Sequence, residues 1–164
     1  SGCSKYIIHA RNAILNGLSP KKNRKIPVLR YADVTTVKDS FPGLEFYLNG
    51  GVEDISEIRK NINKFDGLMI GRRIYDNPMF LNQIEKEIYK NIETLSRQSI
   101  LKKYLKYALS LQNKNTSNYL LLRHLFSLYY NTSSSKKWKK FIHDIIQSDK
   151  NIEPITNFEE STYD

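Results

Sequence analysis

The sequence contains a single cysteine, Cys3, so no internal disulfide can staple it. A reducing, intracellular compartment is expected, with the cytoplasm as the default location and an organelle as the alternative. Long apolar runs are missing as well: none approaches the roughly 20 residues that a membrane-spanning helix needs. No membrane partner is expected, and the first residues do not resemble a secretory leader. Acidic residues are the other scarcity, 17 against 26 Lys and Arg, for a net charge of +9. The deficit is local, because residues 97–150 hold 11 basic residues against 2 acidic ones, while 151–164 hold four acids and no base. Such a field favours a polyanion, RNA or DNA before an acidic protein; a merely soluble lysine-rich surface is the other reading. There is no Cys and His spacing for zinc, no G-x-x-x-x-G-K-S/T loop and no G-x-S-x-G elbow. No metal site is expected.

What is present suffices for a core: 164 residues, 40% hydrophobic and 12% aromatic, allow one medium domain or two small ones. The most ordered stretch runs from Leu44 to Arg73. Glu45-Phe46-Tyr47-Leu48 reads as a strand that stops at Asn49-Gly50-Gly51, and Ile55, Ile58, Ile62 and Phe65 follow at helical spacing. Gly67-Leu68-Met69-Ile70 reads as a second strand, stopped by Gly71-Arg72-Arg73. Parallel strands joined by a helix, each ending in a glycine turn, match the last units of a (β/α)8 barrel, where such loops often hold phosphate. Glycine lets the backbone approach an anion, and N–H groups at a following helix start can point at it. An ordinary Asn-Gly-Gly turn is the alternative.

Upstream, Lys5 to His9 reads as a strand, followed by a long exposed loop punctuated by Gly17, Pro20 and Pro27 and rich in Lys21, Lys22, Arg24 and Lys25. Val34, Val37 and Phe41 suggest a helix ending before Pro42, which completes a third strand-helix unit. Beyond Pro78 helical periodicity takes over. Phe80, Leu81, Ile84 and Ile88 give a helix expected to close the barrel, and the domain boundary is placed in the polar stretch 94–99. Further stripes run from Ile100 to Leu111, from Leu121 to Tyr129 and from Trp138 to Ile146. Residues 113–117 are expected to be a loop and 131–135 a break. The fold expected is thus α/β plus all-α: residues 1–93 as about three strand-helix units of a TIM barrel, 94–150 as a helical bundle domain, and 151–164 as a frayed acidic tail. Lys136, Lys137, Lys139 and Lys140 crowd the first turns of the last helix, where cations oppose the macrodipole, so use as phosphate contacts is the better reading than stability. His124 and His143 fall within helical stripes and read as packing or surface residues.

Ile7-Ile8-His9-Ala10-Arg11-Asn12-Ala13, Gly17-Leu18-Ser19-Pro20-Lys21 with Asn23-Arg24 and Ile26-Pro27, Phe41-Pro42, Asn49-Gly50-Gly51, Asp66-Gly67-Leu68-Met69-Ile70-Gly71-Arg72 and Tyr75-Asp76-Asn77-Pro78 stand in one order. Together they resemble the tRNA-dihydrouridine synthase family, in particular its A-type subfamily. Arg123-His124-Leu125 and Trp138-Lys139-Lys140-Phe141 are similar to landmarks of that family's C-terminal helical domain. The resemblance covers about residues 1–145.

It implies an enzyme that reduces uridine in tRNA to 5,6-dihydrouridine through bound FMN, with NADPH as electron donor. Carried over, His9, Asn49, Gly50, Gly51, Gly71 and Arg72 would contact FMN, the two turns chiefly at its phosphate. Arg11 would lie near the substrate uridine, sharing a face with His9 if strand geometry persists. Lys21, Arg24 and Arg123 would contact tRNA, alongside Lys136, Lys137, Lys139 and Lys140. The family's acid cysteine lies well upstream of the His-Ala-Arg block, so Cys3 does not match it and no catalytic residue is expected in this chain. By this reading the sequence is the C-terminal portion of such an enzyme, inactive alone and prone to self-association through exposed barrel strands. A non-catalytic RNA-binding module and a different phosphate-binding barrel enzyme are the alternatives.

Overall fold

The computed structural model describes residues 2–112, 116–148 and 151–159. Most of the expected 113–117 loop and the end of the acidic tail, 160–164, lie outside the described residues. Packing divides the chain into two units, 1–73 and 74–164. The boundary expected at 93/94 is therefore not where this division falls, and the helix expected to close the barrel belongs to the second unit.

The first unit is a parallel three-stranded sheet in the order β1 (Lys5–His9), β2 (Glu45–Asn49), β3 (Gly67–Met69). Between β1 and β2 run α1 (Pro20–Asn23) and α2 (Tyr31–Ser40), and between β2 and β3 runs α3 (Ile55–Asn61). This is the repeating strand-helix pattern expected of part of a (β/α)8 barrel. One face of the sheet is covered. Leu48, Val34, Phe65 and Ala10 are buried together, with Ile8, Leu29, Tyr31 and Leu68 packed around them. On the other face Ile7 and Met69 stay 61% and 45% exposed. Alternation along β1 and β2 produces this two-sidedness, since successive side chains point to opposite faces. Asp66 ties β3 to its neighbours: its carboxylate accepts from the Phe46 amide at 2.8 Å and from Lys38 Nζ at 2.6 Å. Lys38 first, then the Phe46 N–H, holds that carboxyl below its usual range.

The loop 11–30 is less open than its charge suggests. Ser19 caps the single turn α1, and the Asn23 side chain both accepts from the Ile14 amide and donates to the Ile14 carbonyl, each at 2.8 Å. An isolated antiparallel bridge, Arg11 to Leu29, closes its base.

The second unit is helical: the end of α4 (Arg72–Asp76), then α5 (Phe80–Glu87), α6 (Arg97–Gln112), α7 (Asn118–Leu122), a 3-10 turn Arg123–Leu125, α8 (Ser135–Ser148) and a 3-10 turn Glu153–Asn157. Its core joins Leu101, Leu105 and Ala108 of α6 to Leu121 and Leu122 of α7 and to Trp138 and Ile142 of α8. Two expectations need correction. The apolar stripe 121–129 does not form one helix: α7 stops at Leu122 and a 3-10 turn follows, and side chains from elsewhere bond carbonyls along the stripe, Tyr104 Oη donating to Leu121 at 2.7 Å, Trp138 Nε1 to Leu125 at 2.6 Å and Arg97 Nε to Leu128 at 3.1 Å. The acidic segment is not frayed where it is described. Ile152 and Ile155 are fully buried and Phe158 is 5% exposed, its ring packed against Tyr129, Trp138 and Phe141.

Candidate functional site

The strand register sets the site. His9 pairs with Asn49, and Asn49 pairs with Met69, so the three strands end level with one another. The segments leaving those ends converge on a cleft of about 180 Å³ lined by His9, Arg24, Asn49, Gly50, Gly51 and Arg72, among others. All six residues expected to hold the cofactor, Gly71 included, thus line one cavity.

The Asn-Gly-Gly turn has a left-handed backbone at both glycines, φ +104° at Gly50 and +77° at Gly51. A side chain at Gly50 would begin 3.0 Å from His9 Cε1 and 3.3 Å from Arg11 NH1, and one at Gly51 would overlap Leu29. The turn is held from outside the strand, since Tyr31 Oη donates to the Gly50 carbonyl at 2.9 Å. Burial first pushes the Tyr31 hydroxyl above its ordinary pKa, which keeps it a donor. The following helix does not begin at the turn, as a direct anion site at its N-terminus would require. Val52 and Glu53 intervene, and Asp54 caps α3 itself by accepting from the Glu57 amide at 2.9 Å.

The electrostatics are cationic. Burial lowers the His9 pKa, and Arg11, Arg72 and Arg24 push it the same way, so the imidazole favours its neutral form. Arg72 NH2 donates to the Arg24 carbonyl at 3.0 Å. Arg11 Nε is spent on the Pro27 carbonyl at 2.8 Å, while its NH1 is buried with no hydrogen-bond partner among the described residues. A guanidinium nitrogen left in that state is costly unless something anionic arrives. Glycine turns and three arginines, Arg24, Arg72 and Arg73, suit a phosphate-bearing group, with the Glu53 carboxylate as the one acid in the lining.

Other expected residues fall differently. Arg11 leaves the strand, yet still converges with His9 on Gly50. Arg24, expected on RNA, lines the cleft, whereas Lys21 is exposed on α1. In the second unit Arg123 and Lys136, Lys137, Lys139 and Lys140 are exposed. Lys137 Nζ donates to the Glu159 carbonyl at 3.3 Å and lies 5.5 Å from the Phe158 ring centre. Sequence reasoning missed Tyr31, Glu53 and Met69; only the position of Met69 at a strand end could have signalled it. Cys3 stands before the first residue of β1, at the end of the sheet away from the cleft, where its Sγ donates to the Lys5 carbonyl at 3.2 Å.

The chain is 35% identical over 145 residues to a tRNA-dihydrouridine(20/20a) synthase of Synechocystis, covering 88% of this chain and 43% of that protein. It is 32% identical over 162 residues to the protein of that name from Pseudomonas putida, covering 98% and 48%, and 34% identical over 140 residues to that of Haemophilus ducreyi, covering 85% and 43%. The chain therefore spans a little under half the length of these curated relatives. Residues 1–162 match the family described as dihydrouridine synthase, a span that takes in both units of the chain: the chain is a member of the dihydrouridine synthase family.

Proposed function

We propose that this chain carries the phosphate end of an FMN site and part of the RNA-binding surface of an enzyme that reduces uridine in tRNA to 5,6-dihydrouridine. The observation that carries the reading is the level rung His9, Asn49, Met69, which gathers three strand ends around one cationic cleft in a member of this family. Arg72 and the Gly50-Gly51 turn would hold the phosphate, with Asn49 and Gly71 beside it and His9 donating to the flavin or its phosphate. Bound there and reduced by NADPH, FMN would supply a hydride to the uracil double bond, with the proton coming from the acid cysteine expected upstream.

The chain's own residues prepare the site. Tyr31 fixes the turn, the arginines supply positive charge, and neutral His9 keeps one nitrogen free to accept and one to donate. Arg11 beside His9 would sit toward the uridine; Lys21, Arg24, Arg123, Lys136, Lys137, Lys139 and Lys140 would contact tRNA phosphates, with Arg24 serving the cleft as well. Three parallel strands do not close a barrel, so the 164-residue polypeptide is proposed to bind but not to turn over, and its exposed Ile7 and Met69 face to favour self-association. A cytoplasmic setting belongs to the same proposal.

Flavin fluorescence tests the site directly. The chain should bind FMN more tightly than riboflavin, which lacks the phosphate; equal binding, or none of either, would remove the cleft from the flavin model.

A further inference from the structure

The second unit carries a surface that the cleft does not explain. Tyr75, 57% exposed, meets the exposed His124 ring edge-on with centroids 5.9 Å apart, and its carbonyl is pinned by Ser127 Oγ at 2.6 Å. Arg123 Nε donates to His124 Nε2 at 3.2 Å, and Arg123 stands two residues after Leu121, whose carbonyl accepts from Tyr104 Oη. Tyr104 stands edge-on to Tyr107, 6.4 Å away and 61% exposed. These neighbours form one run, Tyr75, His124, Arg123, Tyr104, Tyr107, across three helical segments.

Two features separate this run from ordinary exposed tyrosines. It is anchored at two points, by the Ser127 bond to the Tyr75 backbone and by the Tyr104 ring hydroxyl on the Leu121 carbonyl at 2.7 Å. Its surroundings are cationic: no Asp or Glu occurs between Glu93 and Asp144, and exposed Lys103 and Lys106 flank Tyr104 on α6. Asp76 beside Tyr75 is the nearest acid in sequence, so the positive side is that of Arg123 and α6. An acidic peptide would use the lysines but has no need of rings. Unpaired nucleotides need both, phosphates for the cations and base faces for the aromatics.

We infer that the run from Tyr75 through His124 and Arg123 to Tyr107 is a stacking platform for unpaired nucleotides of an RNA. The inference rests on the RNA reading above and adds to it a mode of contact that does not depend on salt. Stacking on a ring is a contact between neutral faces, whereas lysine contacts release counterions and weaken as salt rises.

The test uses the whole chain with two labelled probes, a short single-stranded RNA and a fully paired RNA duplex, each titrated over a range of salt. Tyr75→Leu and Tyr107→Leu, both at exposed positions, should each weaken the single strand about five- to tenfold, leave the salt slope unchanged and spare the duplex. Tyr107→Phe should bind as the parent does. The double variant Lys139→Ala, Lys140→Ala should instead flatten the slope for both probes. Parental single-strand affinity in the two leucine variants, or an equal loss on the duplex, would overturn the platform while a flattened slope in the lysine variant kept the RNA reading. Failure of the parent chain to bind either probe at low salt would overturn both.

Discussion

Arg72 and Arg24 are joined across 48 positions of sequence by one hydrogen bond, from the Arg72 guanidinium NH2 to the Arg24 backbone carbonyl at 3.0 Å. The bond fastens the basic loop 11–30 to the turn after β3, and it leaves the other Arg72 donors for the cleft both residues line.

Removing that side chain should act on both. Arg72→Ala is expected to weaken FMN binding by about 1.5 to 3 kcal/mol, the range for a hydrogen bond to a charged group, with riboflavin binding nearly unchanged. Arg72→Lys should recover little, because an ammonium cannot span the carbonyl and the phosphate in one plane. Fluorescence titration of both flavins checks it.

The two glycines of the turn should fail differently. Gly50→Ala places a carbon between His9 and Arg11 at φ +104° and should cost about 1 to 2 kcal/mol of stability together with the flavin affinity. In Gly51→Ala the new carbon meets Leu29 and the Tyr31 hydroxyl, 2.5 Å away, so the support of the turn is disrupted and thermal stability should drop further. Melting curves with and without FMN separate the two.

The His9 imidazole should titrate below 6.5, since burial and three arginines disfavour its charged form. In the acid range an unfolded chain then binds more protons at this position than the folded one, so the His9 contribution to stability falls as pH drops through 6.5 and is constant above it. A bound phosphate offsets the arginines and should move the titration upward, so binding takes up a proton below neutrality. NMR titration of the ring proton, with and without inorganic phosphate, measures both.

Phe158→Ala should destabilise the helical unit by about 3 to 5 kcal/mol, as for other buried aromatic truncations. Trp138 fluorescence reports it, because the two rings lie 4.8 Å apart.

The strands and the cleft were legible because their signals are local: short apolar runs stopped by Asn-Gly-Gly and Gly-Arg. The shape of 11–30 was not, since it depends on Asn23 finding Ile14. Nor was the break after Leu122, where carbonyls of the stripe accept from three donors distant in sequence. The tail did carry a signal, masked by its acids: Ile152, Ile155 and Phe158 recur every three residues, the period of the 3-10 turn they form. The sequence neighbours of Arg24 point to RNA, and only the folded loop shows it lining the cleft.

The rung of His9, Asn49 and Met69 also limits how the sequence can change in length. One residue inserted within Glu45–Asn49 would advance the Gly-Gly turn by about 3.3 Å and send the next side chain to the opposite face, parting it from His9 and Met69 at once. Connections at the other end of the sheet, such as residues 41–44, face no such rung. Insertions and deletions should therefore collect there, on the side where Cys3 lies, while the strand ends keep their count.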